Sequence, residues 1–153
     1  MNEIKRLCKN LSKKDKNSNN YHKARKQLAR LYKKIVNLRK NFHYKTAYDI
    51  CSKYTVICIE DLNIKAMQKL WGRKINDLGF YNFVQILESV AKKCGCEVRK
   101  ADRFFASSQT CSNCGNINKQ VKDLRIRQWQ CNVCNVIHDR DRNAAINILN
   151  ACV

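Results

Sequence analysis

Apolar side chains recur every three or four residues along the first third of the chain, which is the spacing of one face of an α-helix. They begin with Ile4, Leu7 and Leu11 and, after a polar break at residues 15–20, resume as Leu28, Leu31, Ile35, Leu38 and Phe42. Two amphipathic helices around a short polar turn predict an antiparallel helical hairpin. The longer stretch also fits a plain amphipathic helix docked on a core, and the pattern does not choose between the two.

The pattern changes after residue 54. Residues 55–59 are a short, mostly apolar, β-rich run, which predicts a strand buried on both faces. A helix is predicted over residues 75–93 with Gly95 as its stop, a second strand over residues 96–100, and a final helix over residues 141–152. The candidate core positions of the first of these helices are Ile75, Leu78, Phe83, Leu87 and Val90. The apolar residues of the final helix are Ala144, Ala145, Ile148 and Leu149. The mixture of helices and strands predicts an α/β fold.

The distribution of charge indicates a partner. The chain has 31 Lys and Arg against 12 Asp and Glu, a formal net charge of +19. Of these, 15 basic and only 2 acidic residues lie within residues 1–45. A segment this cationic attracts nucleic acid phosphates, so DNA or RNA is the predicted partner. A merely soluble, lysine-rich surface accounts for the total charge but not for its concentration in one segment.

The sequence contains no apolar run as long as a membrane span, and its N-terminal residues lack the continuous apolar stretch of a signal peptide. We therefore expect a cytoplasmic, nucleoid-associated protein with no membrane partner. In a reducing compartment, closely paired cysteines indicate a metal site rather than disulfides.

Four of the 10 cysteines form two Cys-x-x-Cys pairs, with 16 residues between the pairs. The four are Cys111, Cys114, Cys131 and Cys134. Each pair turns so that two thiolates converge on one ion, and four thiolates in a closed shell are typical of structural zinc. The segment is too short for an apolar core of its own, so Zn²⁺ would supply much of its folding free energy.

The segment that carries these four cysteines, here called the zinc ribbon, has other interpretations. A rubredoxin-type iron site uses similar ligands, but the basic setting and the lack of surrounding aromatic packing favour zinc. A redox Cys-x-x-Cys is improbable twice at this spacing. His138 follows closely and could replace a ligand, although four thiolates suffice. The remaining cysteines are expected to be ordinary thiols: Cys8, Cys51, Cys58, Cys94, Cys96 and Cys152.

Two carboxylates are candidate catalytic groups. Glu60 directly follows the predicted strand, at the end where α/β sheets place their chemistry. Asp141 stands at the start of the final helix, where small Ala144 and Ala145 would let the helix pack tightly and direct the acid inward. Each has a simpler interpretation, since Glu60 could be a turn acid and Asp141 a helix cap.

The order of these features resembles the TnpB (OrfB) proteins of insertion sequences, a family similar to type V CRISPR effectors. The matching stretches are residues 23–31 (Lys-Ala-Arg-Lys-Gln-Leu-Ala-Arg-Leu), 59–67, 107–114 and 131–148. The resemblance implies a RuvC-like nuclease domain of RNase H fold, interrupted late by a zinc-binding insertion. It also implies DNA cleavage directed by a guide RNA, with Glu60 and Asp141 as the second and third catalytic carboxylates and Mg²⁺ as their cofactor.

The sequence departs from the family pattern before Glu60. The family domain begins with a strand hairpin that carries a first catalytic Asp, and the earlier acids here, Glu3, Asp15 and Asp49, lie in unsuitable settings. We therefore expect the C-terminal part of a longer protein that is not catalytically competent alone. The expected organisation is a basic helical hairpin at residues 1–54 and a partial RuvC-like core at 55–110. The zinc ribbon then occupies residues 111–136, and the last RuvC-like helix 137–153.

Residues of the ribbon are candidates for nucleic-acid contact, namely Arg125, Arg127 and Trp129. Two further hypotheses remain beside the nuclease. The chain could be a non-catalytic zinc-ribbon module that binds DNA or RNA, or an adaptor of the transcription or ribosome type. The nuclease hypothesis requires Glu60 and Asp141 at one metal site, whereas the other two hypotheses tolerate their loss.

Overall fold

The computed structural model describes residues 2–72 and 78–153. Its helices are α1 (Asn2–Ser12), α2 (Asn19–Cys51), α3 (Ile64–Trp71), α4 (Phe80–Cys94) and α5 (Arg140–Cys152). Its strands are β1 (Val56–Glu60), β2 (Glu97–Ala101), β3 (Gln128–Gln130) and β4 (Ile137–Asp139), with a short 3₁₀ helix at Lys119–Lys122. The chain divides into two compact units, Met1–Thr46 and Ala47–Val153.

The first unit contains α1 and most of α2, in the two segments where the apolar spacing predicts helices. The turn between them is closed by Ser18, whose hydroxyl oxygen accepts a hydrogen bond from the backbone N–H of Tyr21 at 3.1 Å. This is an N-cap contact, and it satisfies one of the N–H groups that a helix start leaves without an intrahelical partner. The thiol of Cys8 on α1 interacts with Tyr32 on α2, and the pKa of Tyr32 is raised mainly by the charge of Cys8.

The predicted apolar seam of α2 is only partly correct. Its first half is half-buried as expected, but Leu38 and Phe42 are 58% and 66% exposed. The inward face continues instead through Arg39, which is half-buried, and His43, which is only 6% exposed. An α-helix has 3.6 residues per turn, so a face followed in steps of three and four can drift away from the side that is covered.

The second unit contains a parallel pair of strands, β1 and β2, whose register runs from Val56 opposite Glu97 to Glu60 opposite Ala101. Helix α4 precedes β2 and packs on it, and α5 packs on both strands. The residues of β1 are half-buried up to the exposed Glu60, so the predicted burial of this strand on both faces is wrong. In the described part of the chain this sheet has two strands, and each strand is paired along one edge only.

Helix α4 follows its prediction over most of its length. Leu87 and Val90 are buried, Phe83 is half-buried, and Gly95 ends the helix in the left-handed conformation with φ of 72°. Leu78 is 56% exposed and precedes the helix, which begins at Phe80. The expected start of the helix and Ile75 lie outside the described residues.

Only some of the apolar residues of helix α5 face the interior. Asn143 and Asn147 are 1% and 5% exposed, while Ala145 and Leu149 lie at the surface. Ala144 and Ile148 are half-buried. The buried stripe of α5 therefore combines two amides with two apolar side chains.

Candidate metal centre and neighbouring carboxylates

The two Cys-x-x-Cys pairs fold into equivalent knuckles. In the first, the N–H of Gly115 donates to the carbonyl of Cys111 at 2.8 Å, and in the second Asn135 donates to Cys131 at 2.9 Å. Gly115 and Asn135 have φ of 77° and 57°, which is the left-handed region. In each knuckle the backbone therefore turns sharply just after the second cysteine. This turn directs both thiols of the pair to the same side.

The four thiols form one cluster whose sulfur atoms all lie within 4.8 Å of one another. The sulfurs of Cys111 and Cys134 are 3.6 Å apart, as are those of Cys114 and Cys131. A tetrahedral zinc ion with Zn–S bonds of about 2.3 Å holds its sulfurs about 3.8 Å apart. The donor set and the separation of these two pairs are therefore consistent with a structural Zn²⁺ ion.

The electrostatics of the cluster also favour a cation. The pKa of Cys134 is lowered to about 6, mainly by the backbone N–H of Val136. The backbone N–H of Asn116 acts to lower the pKa of Cys114, but burial and the hydrogen bonds to the other three thiols raise it to about 12. A negative charge on the Cys134 thiolate thus disfavours the ionisation of a neighbouring thiol such as that of Cys114. A divalent cation that binds all four sulfurs removes this repulsion between thiolates.

The ribbon has a small core of its own behind the sulfurs. Trp129, which is 6% exposed, and Val121, which is fully buried, pack with Cys111 and Cys131. This packing corrects one step of the sequence argument, because the metal site does have an aromatic residue beside it. Of the two sequence arguments for zinc over rubredoxin-type iron, only the basic setting therefore remains.

Glu60 is the last residue of β1 and lies at the surface. Its Oε1 accepts a hydrogen bond from the hydroxyl of Ser107 at 3.0 Å. It lines a cavity of about 90 Å³ together with Asp61 and Asp102. Asp102 was not among the candidate site residues named from the sequence. The parallel pairing of β1 and β2 could have indicated it, because their carboxyl ends lie side by side and Asp102 directly follows β2. Asp61 forms an ion pair with Arg103.

Asp141 lies in the first turn of α5, but it neither points inward nor caps the helix. Its side chain is 80% exposed, and its Oδ2 lies 3.5 Å from Nη1 of Arg127. The cap is Asp139, whose side chain accepts hydrogen bonds from the backbone N–H groups of Asp141 and Arg142 at 3.1 and 2.9 Å. The expectation that Ala144 and its neighbour direct the acid inward is wrong, because the buried face of this helix passes through Arg140, Asn143 and Asn147 and leaves Asp141 on the exposed side. The cavity beside Glu60 is lined by Ile148 of α5 and not by Asp141.

Two buried amides connect α5 to the segment before the first knuckle. The side-chain N–H groups of Asn147 donate to the carbonyls of Ser107 and Thr110 at 2.8 and 2.6 Å. Asn143 donates to Thr110 at 2.7 Å and accepts from the backbone N–H of Ser112 at 2.9 Å. Since Ser107 also donates to Glu60, one hydrogen-bonded path joins α5, the metal centre and the end of β1.

The three ribbon residues named for nucleic-acid contact differ in exposure. The side chain of Arg125 is 90% exposed and forms an ion pair with Asp123, and that of Arg127 is 71% exposed. Trp129 is buried in the ribbon core, so its ring is not presented at the surface for stacking on a base. Among the helices of residues 2–72 and 78–153, none combines the length and the apolar character needed to cross a membrane.

Two family models match consecutive parts of the chain. The OrfB model, described as "Probable transposase", matches residues 2–70, and the model described as "Cas12f1-like, TNB domain" matches residues 80–148. A TnpB-like protein of Acanthamoeba polyphaga mimivirus is 34% identical over 97% of this chain and 28% of its own length. A protein of Streptomyces pristinaespiralis named "Putative RNA-guided DNA endonuclease" is 34% identical over 94% of this chain and 36% of its own length.

Two solved structures share the fold. A Cas12f1–sgRNA–target DNA complex matches 82% of this chain and 37% of its own with a TM-score of 0.60 and 25% identity. A CRISPR-Cas12f ternary complex matches 96% of this chain and 31% of its own with a TM-score of 0.61 and 22% identity. Fold and site together define a mixed α/β protein with a four-cysteine ribbon, similar in fold to Cas12f. The chain belongs to the TnpB family, and it spans about a third of the length of these relatives.

Proposed function

We propose that this chain is a nucleic-acid-binding part of a transposon-encoded, RNA-guided DNA endonuclease, built around a structural zinc ion. The observation that supports this most is the order of features in one folded unit. The strand ending in Glu60 precedes the four-thiol cluster, and the helix of Asp141 follows it, in a chain that matches the OrfB and Cas12f1-like models in turn. The natural ligands under this proposal are guide RNA and target DNA.

The basic helices are the proposed contact with phosphates. On the exposed side of α2, Arg30, Lys33 and Lys34 line a shallow groove together with Asn37 and Asn41. Cations and amide donors in one groove suit the phosphate oxygens and the sugar edges of a nucleic acid strand. Counterions released from the phosphates would make this binding strongly dependent on salt.

The proposed metal ligands of the ribbon are Cys111, Cys114, Cys131 and Cys134. Their closed four-thiolate shell leaves no open position for a substrate, so the ion would be structural. Its role would be to hold residues 111–136 in place as an insertion between the strand of Glu60 and α5. Through Asn143 and Asn147 the loaded ribbon would also fix the start of α5.

The carboxylates are assigned by resemblance to a RuvC-like, RNase H-type core at residues 55–110 and 137–153. Glu60 and Asp141 would be ligands for catalytic Mg²⁺, which supplies activation of water for phosphodiester hydrolysis when bound. The carboxylates of Glu60 and Asp141 are both exposed, as ligands for a hydrated cation must be. In the described residues 2–55 no strand precedes β1 to offer a further inward-facing Asp, so we infer that the chain alone binds without cutting.

A second candidate function is a non-catalytic zinc-ribbon module that binds DNA or RNA. One observation favours it, namely that Asp141 forms an ion pair with Arg127 while Glu60 accepts from Ser107. Both acids therefore have partners of their own in the folded chain. Under this candidate function, replacement of either acid would leave all activities of the chain unchanged.

Nucleic-acid binding is tested by fluorescence anisotropy with labelled single-stranded RNA and DNA over a series of salt concentrations. We expect Lys33→Gln/Lys34→Gln to weaken binding and to reduce the slope of log K against log salt by up to about two, one for each phosphate contact removed. The matched control is Lys92→Gln/Lys93→Gln, a pair of adjacent exposed lysines at the end of α4. Equal losses in both variants would show that total charge, and not the groove on α2, carries the binding.

A further inference from the structure

His138 lies directly behind the four-thiol cluster. It occupies the middle of β4, opposite Trp129 of β3, and is only 8% exposed. Its Nε2 lies 3.0 Å from Sγ of Cys111, which is itself 1% exposed. The two groups are therefore in hydrogen-bond contact at a buried position.

The direction of this hydrogen bond follows from the chemistry of the cluster. A cysteine sulfur that binds a metal ion is a thiolate and has no proton to donate, so Nε2 of His138 must carry the proton and donate it. Each of the other three sulfurs accepts a hydrogen bond from a backbone N–H group. The donor is Asn116 for Cys114, Cys134 for Cys131, and Val136 for Cys134. At Cys111 the contact comes from a side chain.

We propose that His138 is a positioning residue of the metal centre, whose imidazole N–H orients the Cys111 thiolate and offsets part of its charge. Four thiolates around one Zn²⁺ ion leave two net negative charges on the cluster, and two of the sulfurs belong to fully buried residues. A donor held in place beside a buried thiolate stabilises that charge, as partners of metal ligands commonly do. This inference rests on the proposed zinc site.

The imidazole is held in this position by the ring of Trp129. The two ring centroids are 4.9 Å apart with an angle of 38° between the planes. Since Trp129 is 6% exposed and packs in the ribbon core, it fixes the plane of the imidazole from one side. His138 stands outside the group of four sulfurs that converge on one point, so it acts through Cys111 and not as a ligand.

The test is a metal-affinity measurement on the full chain. The apoprotein is loaded with Co²⁺ and then with Zn²⁺ in competition with a chromogenic chelator, for the wild type, His138→Ala and His138→Gln. Loss of a partner of a metal ligand typically lowers metal affinity by about 10–100-fold, and we expect this for His138→Ala. His138→Gln can still donate an N–H group and should lose less. The control is His22→Ala, an exposed histidine on α2.

The Co²⁺ absorption spectrum separates the possible roles of His138. We expect His138→Ala to keep the spectrum of a four-thiolate site, because the ligands are unchanged. A changed spectrum would show that His138 is itself a ligand, and equal affinities of the wild type and both variants would show that the contact has no effect on the metal. Either result overturns the inference. A wild-type chain that binds neither ion would instead overturn the zinc proposal on which the inference rests.

Discussion

The side-chain oxygen of Asn143 accepts a hydrogen bond of 2.9 Å from the backbone N–H of Ser112, the residue that follows the first cysteine of the ribbon. Asn143 is 1% exposed, so water cannot replace it. This contact joins the last helix to the first knuckle. It makes the position of α5 dependent on the ribbon, through two residues that are 31 positions apart in the sequence.

Asn143→Ala should destabilise the second unit. The substitution leaves the N–H of the half-buried Ser112 without its acceptor and removes a donor to the carbonyl of Thr110, which costs about 1–3 kcal/mol of unfolding free energy. The measurement is chemical denaturation of the zinc-loaded chain. Asn150→Ala on the exposed side of the same helix is the matched control and should change little. Equal stability of the two variants would contradict the role given to the amide.

Removal of the metal should expose Trp129. The ribbon core around it is small, and the ion is expected to supply much of its folding free energy. The chain has 2 tryptophans, so the experiment uses a Trp71→Phe background in which emission reports on Trp129 alone. A chelator should shift this emission to longer wavelength, and added Zn²⁺ should restore it. If the emission is the same with and without metal, the ribbon holds its fold by side-chain packing alone.

Asn135 should tolerate glycine but not a β-branched residue. Its φ is 57°, a conformation that costs most non-glycine residues about 1–2 kcal/mol. We expect Asn135→Gly to retain or raise the stability of the loaded ribbon, as the equivalent position of the first knuckle is already Gly115. Asn135→Val should lower it by about 1–2 kcal/mol or more. Thermal unfolding of the two variants, compared with the wild type, checks this order, and a reversed order would count against the knuckle geometry.

His43 should make the stability of the chain dependent on pH. Burial, and to a lesser degree the charge of Arg39, lowers the pKa of His43 below its ordinary value. The unfolded chain takes up a proton at this residue near pH 6.5, while the folded chain resists it. Because the unfolded state then binds more protons, stability is complete above about pH 6.5 and is lost as the pH falls towards the lowered pKa.

This dependence is measured as the difference in unfolding midpoint between the wild type and His43→Gln, followed by circular dichroism at pH 7.5 and 5.5. The comparison cancels any effect of pH on the metal centre, which both chains share. We expect the wild type to lose more stability than the variant on acidification. His22→Gln, at an exposed position, should behave as the wild type does. Parallel losses in the wild type and His43→Gln would exclude His43 as the source.

Features set by local spacing could be predicted from the sequence. The two Cys-x-x-Cys pairs bring their sulfurs together because each knuckle is a local turn, and Gly95 ends α4 because it alone adopts the left-handed conformation there without cost. The strand before Glu60 was found from five consecutive β-rich residues. In each case the physical cause lies within a few residues of the feature.

Features set by tertiary contacts could not. Leu38 and Phe42 look like core residues, yet the covered face of α2 passes through His43. Asp141 looks like an inward acid, yet Asp139 caps the helix and the Asp141 side chain is 80% exposed. Such outcomes depend on which surface each helix meets, and that surface comes from distant parts of the chain.

We propose that this chain, when alone, holds nucleic acid without cutting it. The direct test incubates the zinc-loaded chain with labelled single-stranded and duplex DNA in Mg²⁺ or Mn²⁺, beside Glu60→Gln and Asp141→Asn. We predict salt-sensitive binding and no cleavage by any of the three proteins. Cleavage by the wild type that disappears in both variants would contradict the claim, because it would show that these two carboxylates suffice for catalysis in this chain.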